Sequence, residues 1–226
     1  MHFDVNRELL EEACEVLWER TNIYWIIGGS SSGKSTLSRE LSGRTEIPIY
    51  DMDAYVFDLY MGRYNKEKHP ANSAWFTAPN PLDWALSLSW EEFDSVYQAA
   101  NVEYLVLLAE DLLKTEFLGP QIIDGGITHP SVLVKTLKST QIVCIDTEER
   151  TRALTWETSE ERSAMKKQVM TLPDGDVKWT RFREFDRLLT RTIIQQSRTE
   201  NIKIFYRAND TTVEQLGDQI QDYFGI

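Results

Sequence analysis

Apolar residues in this chain occur in two patterns: short, nearly unbroken runs, and longer stretches where they recur every three or four positions. Over residues 4–20, Val5, Leu9, Ala13, Val16 and Leu17 fall at helical spacing while Glu8, Glu11, Glu12, Glu15 and Glu19 occupy the other face. That pattern predicts an amphipathic helix with a solvated acidic side. The short runs are Ile23–Ile27, Ile47–Tyr50, Gln121–Ile123, Gln141–Ile145 and Ile202–Tyr206, apolar but for Gln121, Gln141 and Lys203. Runs of this length predict strands covered on both faces. Helical patterns fill Thr36–Leu41, about 82–99, 102–115, Ser131–Leu137, 147–170, 178–198 and 212–224. Strands alternating with helices predict an α/β fold, a three-layer sandwich whose central parallel sheet has about five strands and helices on both faces.

No internal repeat, low-complexity tract or linker interrupts residues 1–226, so one domain is expected. Two stretches leave the strand–helix rhythm. Residues 54–101 concentrate aromatics, among them Trp75, Phe76, Trp84 and Trp90, and are expected to wall a ligand pocket. Large aromatics more often build core, and Asn80 and Asp83 suit helix N-caps as well as hydroxyl contacts. The second stretch, 147–178, is charged and helical.

Composition narrows the partners. The formal net charge of −12 disfavours nucleic acid, whose binding requires cations to displace condensed counterions. Cys14 and Cys144 form no CxxC pair, and Cys144 within an apolar run reads as a buried strand thiol. The N-terminal residues lack a signal-peptide core, and no apolar run approaches the roughly 20 residues that span a bilayer. A cytoplasmic protein with no membrane contact is expected; the oligomeric state is left open.

Between the first strand and the helix after it lies Gly28-Gly-Ser-Ser-Ser-Gly-Lys-Ser35, which satisfies G-x-x-x-x-G-K-[ST] in its required setting. The glycines let successive N–H groups face phosphate oxygens at a helix N-terminus. Gly28, Gly29, Ser30, Ser31, Ser32, Gly33, Lys34, Ser35 and Thr36 are therefore expected to hold the phosphates of a nucleoside triphosphate. Lys34 would reach the β- and γ-phosphates, and the Ser35 hydroxyl would contact Mg²⁺.

Ligands of open α/β sheets bind beyond the carboxyl ends of the strands, and acids stand at two further ends. Asp51 and Asp53, one residue apart on an extended strand end, should point the same way, one toward a metal and one toward an acceptor hydroxyl. Asp124 follows the third strand as a Walker B acid does; Asp51, Asp124 and Ser35 form the expected metal set. Beyond the fourth strand, Arg150, Arg152, Arg162, Lys166 and Lys167 could form a lid over the transferring charge. Glu148, Glu149, Glu157, Glu160 and Glu161 interleave with them, so pairing within the helix competes with that role. His129 has neither nucleophile nor metal motif beside it and reads as a loop histidine.

Taken in order, Gly28–Thr36, Asp51-Met-Asp-Ala-Tyr55, Ile122-Ile-Asp-Gly-Gly-Ile127 and Cys144-Ile-Asp-Thr-Glu-Glu-Arg-Thr-Arg152 resemble the uridine kinase and nicotinamide riboside kinase group of P-loop NTPases. The Asp51/Asp53 pair is also similar to the Asp-x-Asp of shikimate kinases, and the Gly-Gly-Ser-Ser loop to chloramphenicol phosphotransferases. The resemblance spans strand ends over roughly 23–165. It implies Asp53 as the acceptor-side base, Asp124 as the acid after strand three and Arg152 as the first lid arginine. Thr155, Trp156, Ser159 and Glu160 stand where uridine kinases carry paired lid arginines, and a shikimate-binding arginine has only Arg63 nearby.

The chain is thus expected to be a Mg²⁺- and ATP-dependent kinase with Lys34, Asp53 and Arg152 as catalytic residues. Its acceptor would be a hydroxyl of a small molecule, foremost a nucleoside or riboside, then a nucleoside monophosphate, another metabolite or an antibiotic. The alternative from another class is a regulatory ATPase whose nucleotide occupancy drives partner binding.

Overall fold

The structure, a computed structural model, describes residues 1–114 and 119–226. Five parallel strands form its sheet: β1 (Ile23–Gly28), β2 (Ile49–Asp51), β3 (Gln121–Asp124), β4 (Ile142–Thr147) and β5 (Lys203–Arg207), in the order β2-β3-β1-β4-β5. Trp25 of β1 lies opposite Ile123 of β3 and Ile142 of β4, and Asp51 opposite Asp124. The chain leaves β1 toward one edge and later returns to fill the other. The carboxyl end of β1 is therefore the switch point of the topology, where open sheets hold ligands.

The helices are α1 (Arg7–Leu17), α2 (Lys34–Thr45), α3 (Met52–Ala54), α4 (Pro70–Phe76), α5 (Pro81–Ala85), α6 (Trp90–Lys114), α7 (Pro130–Leu133), α8 (Glu149–Thr158), α9 (Glu160–Met170), α10 (Gly175–Thr199) and α11 (Val213–Phe224). Side chains alternate across the sheet as the strand period requires. Ile26, Ile122, Val143 and Ile145 meet Leu37 and Leu41 of α2 and Leu216 and Ile220 of α11. Trp25, Ile27, Ile123 and Cys144 face the opposite core, shared with Leu9 and Leu17 of α1, Leu105 and Leu108 of α6 and Ile193 of α10. Cys144 is fully buried, and burial pushes its thiol up to about 11.

Several element boundaries differ from expectation for local reasons. The first helix starts at Arg7 because the Asn6 side chain accepts from Leu9 N at 3.2 Å and caps it. The patterns at 82–99 and 102–115 belong instead to the short α5 and to one unbroken helix, α6; Thr115 lies outside the described residues. Ser89 and Glu92 start α6 with a reciprocal capping pair, Glu92 N to Ser89 Oγ at 3.2 Å and Ser89 N to Glu92 Oε2 at 2.9 Å. Asn101 does not break α6, because its Oδ1 is engaged by the backbone N–H groups of Thr128 (2.9 Å) and His129 (2.8 Å). The stretch 147–170 divides at Ser159, whose extended backbone (φ −77°, ψ 132°) separates α8 from α9.

The aromatic excursion is largely core. Trp75, Phe93 and Phe185 pack with Leu86, Val169 and Leu172 in a third cluster joining α4 and α6 to α9 and α10. Glu103, buried in α6, accepts from Ala71 N and Asn72 N, each at 2.9 Å, and from Asn72 Nδ2 at 2.7 Å. Those bonds hold the start of α4 against α6.

Candidate functional site

The loop from Gly28 to Gly33 leaves β1 at the switch point and enters α2 at Lys34. Ser31 and Gly33 take positive φ values of 64° and 95°, which curl the backbone. A side chain at Gly33 would also run into the guanidinium of Arg207, which reaches in from the end of β5 and donates to Ser32 O at 3.4 Å. The hydroxyls of Ser31 and Ser32 are buried without a partner. A cavity of about 250 Å³ opens over this loop, bordered by Ser35, Thr36, Arg39, Ser159, Arg162 and Arg207.

Lys34 points away from the loop toward β2 and β3. Its Nζ stands 3.4 Å from Asp53 Oδ2, and Asp53 Oδ1 accepts from Gly126 N at 2.9 Å. Gly125 fits here because its φ is +72° and an added Cβ would lie 2.6 Å from Asp53 Oδ2. Asp51 and Asp53 do not share an extended strand end, because a helical turn begins at Met52. Asp51 caps that turn by accepting from Ala54 N at 3.0 Å. Asp124 is 5% exposed, and its Oδ1 has no hydrogen-bond partner. Burial raises its pKa; Lys34 and a hydrogen bond with Ser35 oppose that, while Asp53 and Asp51 add to it. Asp124 thus has a buried carboxylate oxygen to spare.

A second cavity, of about 400 Å³, lies on the other side of Lys34. Asp53, Phe57, Tyr97, Thr128, Asp186 and Thr190 are on its wall. Lys34 and Arg162 border both cavities, so a group bound over the loop and a group in the second cavity would meet between them.

No family model matches the chain, and no curated protein matches it. Solved structures do. TT1252 from Thermus thermophilus aligns over 90% of this chain and 96% of its own length, at 15% identity and a TM-score of 0.51. Shikimate kinase from Acinetobacter baumannii, in complex with shikimate, covers 90% of this chain and 93% of its own at 12% identity and a TM-score of 0.48. Shikimate kinase from Aquifex aeolicus covers 90% and 96% at 18% identity and a TM-score of 0.44. The fold is that of a P-loop NTPase. At these identities the likeness is one of fold.

Within this P-loop fold, the basic residues of 147–178 divide into separate sets. Arg152 does not reach over the P-loop: its Nη1 donates to Asp146 Oδ1 at 2.9 Å and to Thr147 O at 2.5 Å. Arg150 is exposed. Arg162, stacked 4.7 Å from the Trp156 ring, borders the cavity over the loop. Lys166 lies over Trp179 at 5.8 Å.

Other sequence-selected residues turn out to be scaffold. Asn80 caps α5 by accepting from Asp83 N at 3.1 Å, and Asp83 pairs with Lys178. Trp75, Phe76, Trp84 and Trp90 are absent from the second cavity, whose aromatic wall comes from Phe57, Tyr97 and Tyr104. Arg63 binds Asp111 Oδ1 at 2.6 Å and Glu110 Oε2 at 2.9 Å, outside both cavities. His129 is buried between Thr128 (3.0 Å) and Asp94 (3.1 Å).

Arg207, Arg39, Asp186 and Thr190 were not anticipated, whereas Phe57 and Tyr97 lie in the aromatic stretch expected to wall a pocket. Arg207 could have been found by the strand-end argument applied to β5. Asp186 and Thr190 carry no such signal, since their place depends on which face α10 turns to the P-loop.

Proposed function

We propose that this protein is an ATP-dependent kinase that transfers the γ-phosphoryl group to a hydroxyl of a small molecule, with a nucleoside or riboside as leading acceptor. One observation carries the reading: Lys34 and Asp53 meet at 3.4 Å where a phosphate-loop cavity adjoins a second, partly aromatic one. A hydrolase or switch needs only the first cavity. A kinase needs both, with a carboxylate at the junction.

In this reading residues 28–36 hold the triphosphate, and Lys34 follows charge from the β- to the γ-phosphate. Asp53 sits where an acceptor hydroxyl must lie and takes its proton. The acceptor oxygen then bonds to the γ-phosphorus as the bond to the β,γ-bridging oxygen breaks, and ADP leaves. The orphaned Oδ1 of Asp124 beside Ser35 suits Mg²⁺, which favours one or two carboxylates together with substrate phosphates over an all-protein cage. Bound there, Mg²⁺ would offset phosphate charge. Asp51 is a cap in the structure and enters the metal site only through water. Arg162, which borders both cavities, forms the lid arm, while Arg152 braces the start of α8 through Asp146.

The deciding measurement is product. Incubation with ATP, Mg²⁺ and a panel of hydroxyl compounds should give ADP and one phosphorylated acceptor in equal amounts, at a rate far above acceptor-free hydrolysis. Hydrolysis unaffected by every acceptor, together with ATP-dependent binding of a protein partner, would overturn the kinase in favour of a regulatory ATPase.

A further inference from the structure

The second cavity has an uneven distribution of charge that bears on what it accepts; the inference rests on the kinase reading above. Among the described residues on its wall, the cations are Lys34 and Arg162 and the anions are Asp53 and Asp186. Both cations also border the phosphate cavity, so a bound triphosphate claims them. Asp53 is engaged with Lys34 and Gly126 N. Asp186, on α10, remains to face the acceptor. Its Oδ2 accepts from Trp156 Nε1 at 3.0 Å, which fixes the carboxylate, and among the described residues no cation pairs with it. Asp186 also borders a neighbouring cavity, which Arg152, Arg183, Arg187 and Arg191 line, but none of these arginines lines this one. Tyr97 is on the same wall, and its hydroxyl pKa is raised first by burial and then by the charges of Asp53 and Asp186.

With nucleotide bound, an acceptor entering this cavity meets a γ-phosphate, Asp53 and Asp186, with both wall cations already matched. A carboxylate or phosphate on the acceptor would be desolvated against like charge. A hydroxyl or amine would instead donate to Asp186. We propose that the acceptor carries no anionic group and is held by donating a hydroxyl or amine hydrogen to Asp186. This selects neutral or cationic polyols, such as nucleosides, ribosides or amino sugars, over nucleoside monophosphates and hydroxy acids.

The test uses the full chain with ATP and Mg²⁺, and acceptors matched in skeleton: nucleosides against their 5′-monophosphates, and amino sugars against the corresponding uronic acids. The expected result is a kcat/KM at least 100-fold higher for the neutral or cationic member of the productive pair. Asp186→Asn should raise the acceptor KM tenfold or more, a larger change than in the KM for ATP, and Asp186→Glu should recover part of it. If an anionic member leads with the parent protein, the selectivity proposal is wrong while the kinase stands. If Asp186→Asn changes both KM values equally, Asp186 does not hold the acceptor. If no acceptor of either kind is phosphorylated, the kinase reading and this inference fall together. Should Asp186→Asn fail to fold, the comparison on the parent protein still decides.

Discussion

The ammonium of Lys34 lies 3.4 Å from Oδ2 of Asp53, while the other oxygen of the same carboxylate accepts from the backbone of Gly126 at 2.9 Å. The P-loop, the turn after β2 and the turn after β3 are tied together through one side chain. That link brings the cavity over the loop and the second cavity to a common point.

Asp53→Asn keeps the shape and the bond to Gly126 N but removes the base. The expected outcome is a fall in kcat of about 10²–10⁴-fold, with ATP affinity within a few-fold of the parent. Steady-state kinetics beside direct nucleotide titration separates the two effects. Unchanged transfer would remove Asp53 from the mechanism.

Gly125→Ala tests the same junction from the backbone side. At φ +72° the new Cβ would lie 2.6 Å from Asp53 Oδ2 and 2.9 Å from Lys34 Cε. The strained backbone should cost about 1–2 kcal/mol of stability. A displacement near 1 Å at the reacting groups should cost roughly 10²-fold in rate. Thermal melting and turnover on one preparation should show the activity loss well exceeding what unfolding explains.

Asp124 gives a pH-dependent prediction. Burial raises its pKa, so the folded state holds this proton more tightly than the unfolded state. Its stabilising effect is present in full below the unfolded value of about 3.9 and is lost as pH rises through the folded value. At neutral pH the ionised carboxylate therefore weakens the ligand-free protein. Asp124→Asn should melt higher than the parent at pH 7 in the absence of Mg²⁺ and nucleotide, with the gap closing as pH falls toward about 4. The same variant should lose most Mg²⁺-dependent turnover. An equal or lower Tm at pH 7 would show that its buried charge carries no such cost.

Glu103 concerns stability alone. Removing its carboxylate leaves the N–H groups of Ala71 and Asn72 buried without acceptors, and each orphaned group costs about 1–3 kcal/mol. Glu103→Ala should therefore lower the denaturation midpoint clearly, by roughly 2–5 kcal/mol. Glu103→Gln, which keeps one acceptor oxygen, should recover part of the loss. A midpoint for Glu103→Ala equal to that of the parent would mean that water replaces the carboxylate.

Much of the architecture was readable before any coordinates. The runs at Ile23–Ile27 and Gln141–Ile145 are strands because only a sheet covered on both faces uses such solid apolar segments. The start of α6 was also written locally, in Ser89-x-x-Glu92, yet the apolar pattern on either side obscured it. Arg152 was misplaced by chain order. It follows β4 as a lid arginine should, but Asp146 lies within its reach and holds it at the strand end.

The sequence by itself determined the P-loop and its place in the fold, because a P-loop is a local object: its glycines, its lysine and the start of the helix it opens lie within eight consecutive positions, and strand and helix patterns flank it. It also determined that acids would stand at the ends of β2 and β3, since parallel strands bring their carboxyl ends to one edge. Only the tertiary structure decided which acid meets Lys34, because the contact of Asp53 with Gly126 closes across 73 residues. It likewise decided that the tryptophans of 54–101 fill a core and that Asp186 lines the second cavity. Those placements depend on how whole helices pack against one another, and no local periodicity records the packing.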